Sequence, residues 1–132
     1  MGQALYPEVK EWFDGLTDDQ QAQLKSAPSP KKIAQRILRM EDEGRFNMNG
    51  WVYLYPNPCK TTMCMAGWAM DSAGLKVNLN EDVDESFLFD DGSKVDEEFA
   101  GAFLLSLDEE EAKIFYTNDR TALQFIKDRW NL

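Results

Sequence analysis

The sequence predicts a mainly α fold: one domain over residues 1–132, with five to seven short helices packed around a central buried helix at about 61–73. Three observations predict it. Apolar residues recur at helical spacing in most segments. Break signals rich in Gly, Pro, Ser and Asp divide the chain every ten to fifteen residues or so. And the stretch from Phe46 to Gly74 gathers both cysteines, two of the four tryptophans and several methionines beside an Ala66-Gly67 pair, the composition of a packing centre. Small β elements, a hairpin or short strands, are expected at about 51–55 and 87–95.

The elements follow in order. Leu5, Val9, Trp12 and Phe13 make one apolar face of a first helix, which starts near Tyr6 because Pro7 fits only a first turn. Gly15 ends it. Thr17 offers an N-cap for a second helix, Asp18 to Ser26, with Asp18 and Asp19 at its positive end. Ser29 and Pro30 are the cap and first position of a third, running to about Glu43 and closed by Gly44. Ile33, Ala34, Ile37 and Leu38 face inward there, with Met40 or Glu41. Lys31, Lys32, Gln35, Arg36 and Arg39 lie on the other faces, where they meet water or pair with nearby acids.

The segment Trp51–Tyr55 is aromatic and β-branched and is expected to be a strand or an extended loop, stopped by Pro56-Asn57-Pro58. The central helix is apolar almost all round until Asp71, as a helix buried on most faces should be. Ala66-Gly67 is its narrow point, where another helix or an aromatic ring can come close, and Gly74 caps its end. Phe87–Phe89 and Ser93–Val95 read as strands around an Asp90-Asp91-Gly92 turn. A helix over Asp96–Leu107 carries Phe99, Ala102, Phe103, Leu104 and Leu105. Asp108 and Glu111 have capping-box spacing at the start of the next helix, with Ala112, Ile114, Phe115 and Tyr116 expected inward. Residues 120–130 form the last helix, with Ala122, Leu123, Phe125, Ile126 and Trp130 inward.

With 43% hydrophobic residues, 132 residues can bury a real core without disulfides or metal. Met1–Leu16 contains Glu8, Glu11 and Asp14 and no apolar run, so no secretory signal is expected. No stretch approaches the length of a membrane span. Two cysteines in that setting imply a reducing, cytoplasmic compartment. Histidine is absent, which removes the commonest general base and metal ligand and excludes Ser-His-Asp or Cys-His catalysis within one chain.

The net charge of −10 is regional. Residues 80–112 hold 13 acids and one base, Lys94, for a segment charge of −12; the remainder carries +2. Such a surface repels nucleic-acid phosphates and steers a basic partner. The plainer reading is a solvated face that keeps the chain in solution.

Three constellations bear on chemistry. Cys59 and Cys64 stand at C-x4-C spacing, unlike a C-x-x-C redox pair; both serve equally as small packing residues, and as zinc ligands they lack two partners. Cys59, Lys60, Thr61 and Thr62 at a helix start offer N–H groups, hydroxyls and an amine to a phosphate or carboxylate, but without the glycine-rich loop of a P-loop; capping by Thr61 or Cys59 explains them as well. Asp82-Val83-Asp84-Glu85-Ser86 opens like a calcium loop, yet Phe87 replaces the needed glycine and Ser93 the bidentate glutamate. No metal or cofactor is expected.

One order of residues is family-like. Ile37 and Leu38 precede Phe46-Asn47-Met48 and Trp51. Then come Cys59, Thr61, Cys64 and Ala66-Gly67-Trp68-Ala69, with Gly74 after them. Leu105-Ser106-Leu107, Glu111-Ala112, Ile114-Phe115-Tyr116, Ala122 and Ile126 follow. Over about Ile33–Trp130 this resembles a widespread group of small bacterial and bacteriophage proteins marked by a C-G-T-x-x-C-x-A-G-W-A core. Lys60 stands where the group has glycine, and Phe87–Val95 is an insertion relative to it. The resemblance implies a phage or mobile-element origin, and with it a protein that binds and inhibits a host protein. It carries no activity.

The expected function is therefore non-catalytic. An acidic surface within 80–112, presented by Asp82, Asp84, Asp90, Asp91, Asp96, Glu97, Glu98, Glu109 and Glu110, binds a basic host protein, with the acids standing in for nucleic-acid phosphates. No direct nucleic-acid or membrane binding is expected. The alternatives are a small-ligand or thiol protein centred on Cys59–Thr62, and a scaffold subunit or homo-oligomer whose partner is itself.

Overall fold

A computed structural model describes residues 7–46, 48, 52–53, 62–77 and 87–132, with the backbone alone at 52–53, 62–63 and 77. Helix starts come where side chains can satisfy the first free N–H groups. Helix α1 (Pro7–Asp14) begins with a proline, which has no N–H to satisfy. Helix α2 (Asp18–Lys25) opens with a reciprocal capping box between Thr17 and Gln20. Helix α3 (Pro30–Asp42) is capped by Ser29 through the Lys32 N–H. It buries Ile33, Ala34, Ile37 and Met40, while Glu41 stays exposed.

The middle of the chain departs from expectation. Strand β1 (Val52–Tyr53) pairs antiparallel with β2 (Thr62–Met63), so Thr62 and Met63 are extended rather than helical. The central helix α4 is accordingly shorter than the expected 61–73: it spans Met65–Ser72, with Cys64 as its N-cap. Ladder pairing across a non-local strand outweighed the helical pattern of the first residues. Cys64 thus stands at the helix boundary, not a turn inside it. A second pair joins β3 (Lys76–Val77) to β4 (Phe87–Leu88). The expected hairpin follows: Leu88 bridges Lys94, and Phe89 N–H bonds Ser93 O at 2.9 Å. Gly92 takes a left-handed φ of +86° in its turn, which a side chain would strain.

Helix α5 (Glu97–Leu105) is capped by Asp96 and ends at Ser106 in a left-handed conformation. Asp108 and Glu111 form the expected reciprocal box, at 2.7 and 3.1 Å, but they open a 3-10 helix (Glu111–Tyr116), not an α-helix. The change of period has a consequence. With three residues per turn, 112 and 115 share one face and 113 and 116 the next. Ala112 and Phe115 are buried, whereas Tyr116, expected inward, is exposed. Helix α6 (Asp119–Trp130), capped by Asn118, completes the chain and buries Ala122 and Ile126.

The molecule is thus mainly helical, and α4 lies at its centre, packed against α3 and α5. Six consecutive residues of α4, Met65–Met70, are buried. The expected close approach at Ala66 is made by α5: a Cβ placed on Gly101 would stand 2.9 Å from Ala66 Cβ and 2.9 Å from Phe115 Cζ. Helix α1 closes the other side of α5, with Phe13 stacked on Phe103 at 4.4 Å. Trp68 is pinned by polar groups despite being 1% exposed. Its indole N–H donates to Arg45 O at 2.8 Å, and the guanidinium groups of Arg36 and Arg45 lie 5.2 and 5.0 Å from its ring centre. Arg36 also holds Asp71 at 2.6 Å and Ser72 at 2.9 Å. The largely basic outer side of α3 therefore lends one cation to the core, while Lys31, Lys32 and Arg39 face solvent.

Candidate functional site

Of the residues expected to form a site, Asp82, Asp84, Cys59, Lys60 and Thr61 lie outside the described residues, and Thr62 is described only as a backbone partner of Tyr53 in the strand pair. The described acids fall into three places.

The first is a cleft of about 630 Å3 between α2 and the 89–92 turn. It is lined by Asp19, Gln20, Gln23, Asp90 and Asp91, together with Ala22, Ala73, Gly74 and Phe89. Its two sides are joined by amides. Gln20 Nε2 donates to Asp91 at 3.0 Å and to Ser93 Oγ at 2.7 Å. Gln23 accepts from the Asp90 N–H at 3.1 Å and donates to its carboxylate at 3.3 Å. Asp91 also receives the Ser93 N–H and hydroxyl, and those bonds first, then that from Gln20, hold its carboxyl below the usual range. No lysine or arginine is among the described lining residues.

The second place is the start of α5. Asp96 accepts the Phe99 N–H at 3.0 Å. Glu97 is half-buried, and burial, with Asp96 adding to it, raises its pKa above the usual carboxylate value. Glu98 lies beside the hydroxyl of Tyr116; partial desolvation first, then Glu98 and Asp96, raise that phenol's pKa.

The third place is the start of the 3-10 helix. Glu111 pairs with Arg129 at 2.8 Å and Glu110 with Lys113 at 2.9 Å; Glu109 is exposed. Since the chain doubles back between α5 and the 3-10 helix, this group sits at the far end of α5 from Asp96. The separation is about one nine-residue helix length, roughly 13 Å. The sequence-adjacent acids therefore do not merge into one patch. Within the described chain, Asp90 and Asp91 are joined by Asp19 rather than by Glu109 and Glu110.

Sequence reasoning missed Asp19, Gln20 and Gln23 as cleft walls, and Tyr116 as a surface residue. Nothing local signals the first three, because their partners lie about seventy positions away. The second cysteine offers little reactivity: burial pushes the Cys64 thiol up to about 11, and its sulfur accepts the Gly67 N–H at 3.4 Å as a helix cap. Among the described residues no group of three acidic or cysteine side chains converges as a metal site requires, and no helix is long and apolar enough to cross a membrane.

Compared with known protein families, curated proteins and solved structures, the chain matches none.

Proposed function

We propose that the chain is a non-catalytic binding protein that engages a basic surface of a partner protein through its acidic side. The observation that carries this reading is the cleft lined by Asp19, Asp90 and Asp91 with no described cation among its lining residues. A negative concavity focuses the field and favours cationic side chains. Asp96, Glu97 and Glu98 extend the charge along the start of α5. On this reading the partner is a host protein that itself binds nucleic acid, with carboxylates occupying the place of phosphates. The phage or mobile-element origin belongs to the same proposal and rests on the Ala66-Gly67-Trp68-Ala69 resemblance.

The test is capture from cells. A protein carrying Asp19→Asn, Asp90→Asn, Asp91→Asn, Glu97→Gln and Glu98→Gln should lose a partner that the wild type retains, while keeping its helical circular dichroism. Undiminished capture by the neutralised protein would overturn the proposal.

A further inference from the structure

A cavity separate from the acidic cleft, of about 500 Å3, lies between α6 and the 3-10 helix. Arg120, Thr121, Gln124 and Phe125 of α6 line it, with Ile114 of the 3-10 helix. Positions 120, 121, 124 and 125 are neighbours on consecutive turns, so helix geometry places them on one stripe. Ile114 is 8% exposed. The Phe125 ring is set against Trp130, edge to face, at 6.1 Å. These two residues give the cavity an apolar wall.

The polar part of the lining has a definite sign. Arg120 takes part in no ion pair or hydrogen bond among the described residues. Thr121 bonds Asn118 through its backbone N–H, at 2.9 Å, which leaves its hydroxyl to the cavity. Gln124 gives one amide N–H to Asp128 at 2.9 Å and retains the other. The acids nearby are engaged as acceptors: Asp119 receives the Met48 N–H at 2.7 Å, and Asp128 receives Gln124. No acid is among the described lining residues. The cleft at Asp90 and Asp91 has acids and no cation; this cavity has a cation and no acid.

Donors with a net positive charge beside hydrocarbon suit an anion that carries an apolar body. A guanidinium holds a carboxylate through two parallel N–H bonds. Small-ligand sites combine an apolar lining with a few polar groups that fix orientation, in roughly 300–1,000 Å3.

We propose that this cavity binds a small organic acid, a carboxylate on an aliphatic or aromatic body. Arg120 holds the carboxylate, the Thr121 hydroxyl and the Gln124 amide add donors, and the body lies against Ile114 and Phe125. The inference stands apart from the acidic-surface reading, because the two share no residue.

The experiment titrates the full chain, labelled with nitrogen-15, with octanoate, octanol or octylamine, and follows backbone amide signals by NMR. Wild type, Arg120→Gln, Arg120→Lys and the Asp90→Asn, Asp91→Asn double variant are compared, each checked for an unchanged melting transition. Octanoate should shift the signals of residues 120–125 saturably, and octanol and octylamine should bind there far more weakly. Arg120→Gln should weaken octanoate binding about tenfold, the scale of one charge-assisted hydrogen bond. Arg120→Lys should recover part of that loss, and the double variant should bind as the wild type does. Octanoate shifts that are absent, or spread over the chain without saturating, would overturn the site. Equal affinity of wild type and Arg120→Gln would overturn the role of the guanidinium, and equal affinity for octanoate and octanol would overturn the choice of an acid. Light scattering that shows a wild-type dimer lost in Arg120→Gln would make the occupant a second copy of this chain and overturn the proposal. None of these outcomes bears on capture of a basic partner.

Discussion

Helix α4 and the acidic turn at 89–93 lie close together, since Ala73 and Gly74, just past the end of one, line the same cleft as Phe89, Asp90 and Asp91 of the other. Both are held by hydrogen bonds from distant segments, yet the two kinds of bond differ. Around Trp68 the partners are charged: two guanidinium groups over the ring and an Arg36–Asp71 pair. Around Asp90 and Asp91 the cross-links are the neutral amides of Gln20 and Gln23. In the first region cation and carboxylate neutralise each other. In the second the carboxylates are positioned and keep their charge. The difference separates residues that hold the fold from residues that remain available to a partner.

Substitutions should widen that contrast. Trp68→Ala should have the largest effect, a loss of about 3–5 kcal/mol, because it empties a fully buried site and strands the Arg45 carbonyl; chemical denaturation measures it. Gly101→Ala should follow at about 1–3 kcal/mol, since the added methyl must displace Ala66 or Phe115. Its denaturation midpoint should fall with little change in the slope. Asp108→Ala removes one half of the reciprocal Asp108–Glu111 bonds in the turn that leads into the 3-10 helix and should cost about 1 kcal/mol.

Glu97→Gln should act in the opposite direction, and mildly. Burial raises the folded-state pKa of Glu97, so its proton is bound more tightly in the folded than in the unfolded chain. The stability it contributes is present at low pH and lost as pH rises through the folded value. The glutamine variant should therefore melt slightly higher than wild type at neutral pH, with the gap closing on acidification; a gap that widens instead would contradict the sign. Least of all, Asp90→Asn with Asp91→Asn should leave the denaturation midpoint close to that of the wild type, because both positions are exposed and asparagine keeps an acceptor oxygen. A large loss there would erase the distinction between the two regions.

Much of the helical framework was legible because its signals are local. Thr17, Ser29 and the Asp108–Glu111 box each precede the helix they were expected to open, and each was readable within four residues, whereas Asp96, expected as the first residue of its helix, is instead its cap. What failed was non-local or depended on helix type. The start of α4 shifted because Thr62 pairs with Tyr53 and Met63 with Val52, partners nine and eleven residues back in the chain. Strand β3 went unread because its partner, β4, is about ten residues further along the chain. Tyr116 was misplaced because the apolar run Ile114-Phe115-Tyr116 was assigned the α period, whereas a 3-10 turn carries its third member outward. The cleft combines two segments whose closeness exists only in the folded chain.

The glutamine cross-links have a kinetic consequence. Carboxylates fixed in place yet still charged attract a cationic partner from a distance, and little side-chain freedom remains to be lost when it arrives. Association with such a partner should be fast at low ionic strength and slow steeply as salt is added, while dissociation changes much less. Replacing Gln20 or Gln23 by lysine would keep a donor toward the carboxylates and weaken the field of the cleft, so the bound complex would form more slowly, but it would leave the N–H of Thr17 or of Asp90 without its amide acceptor.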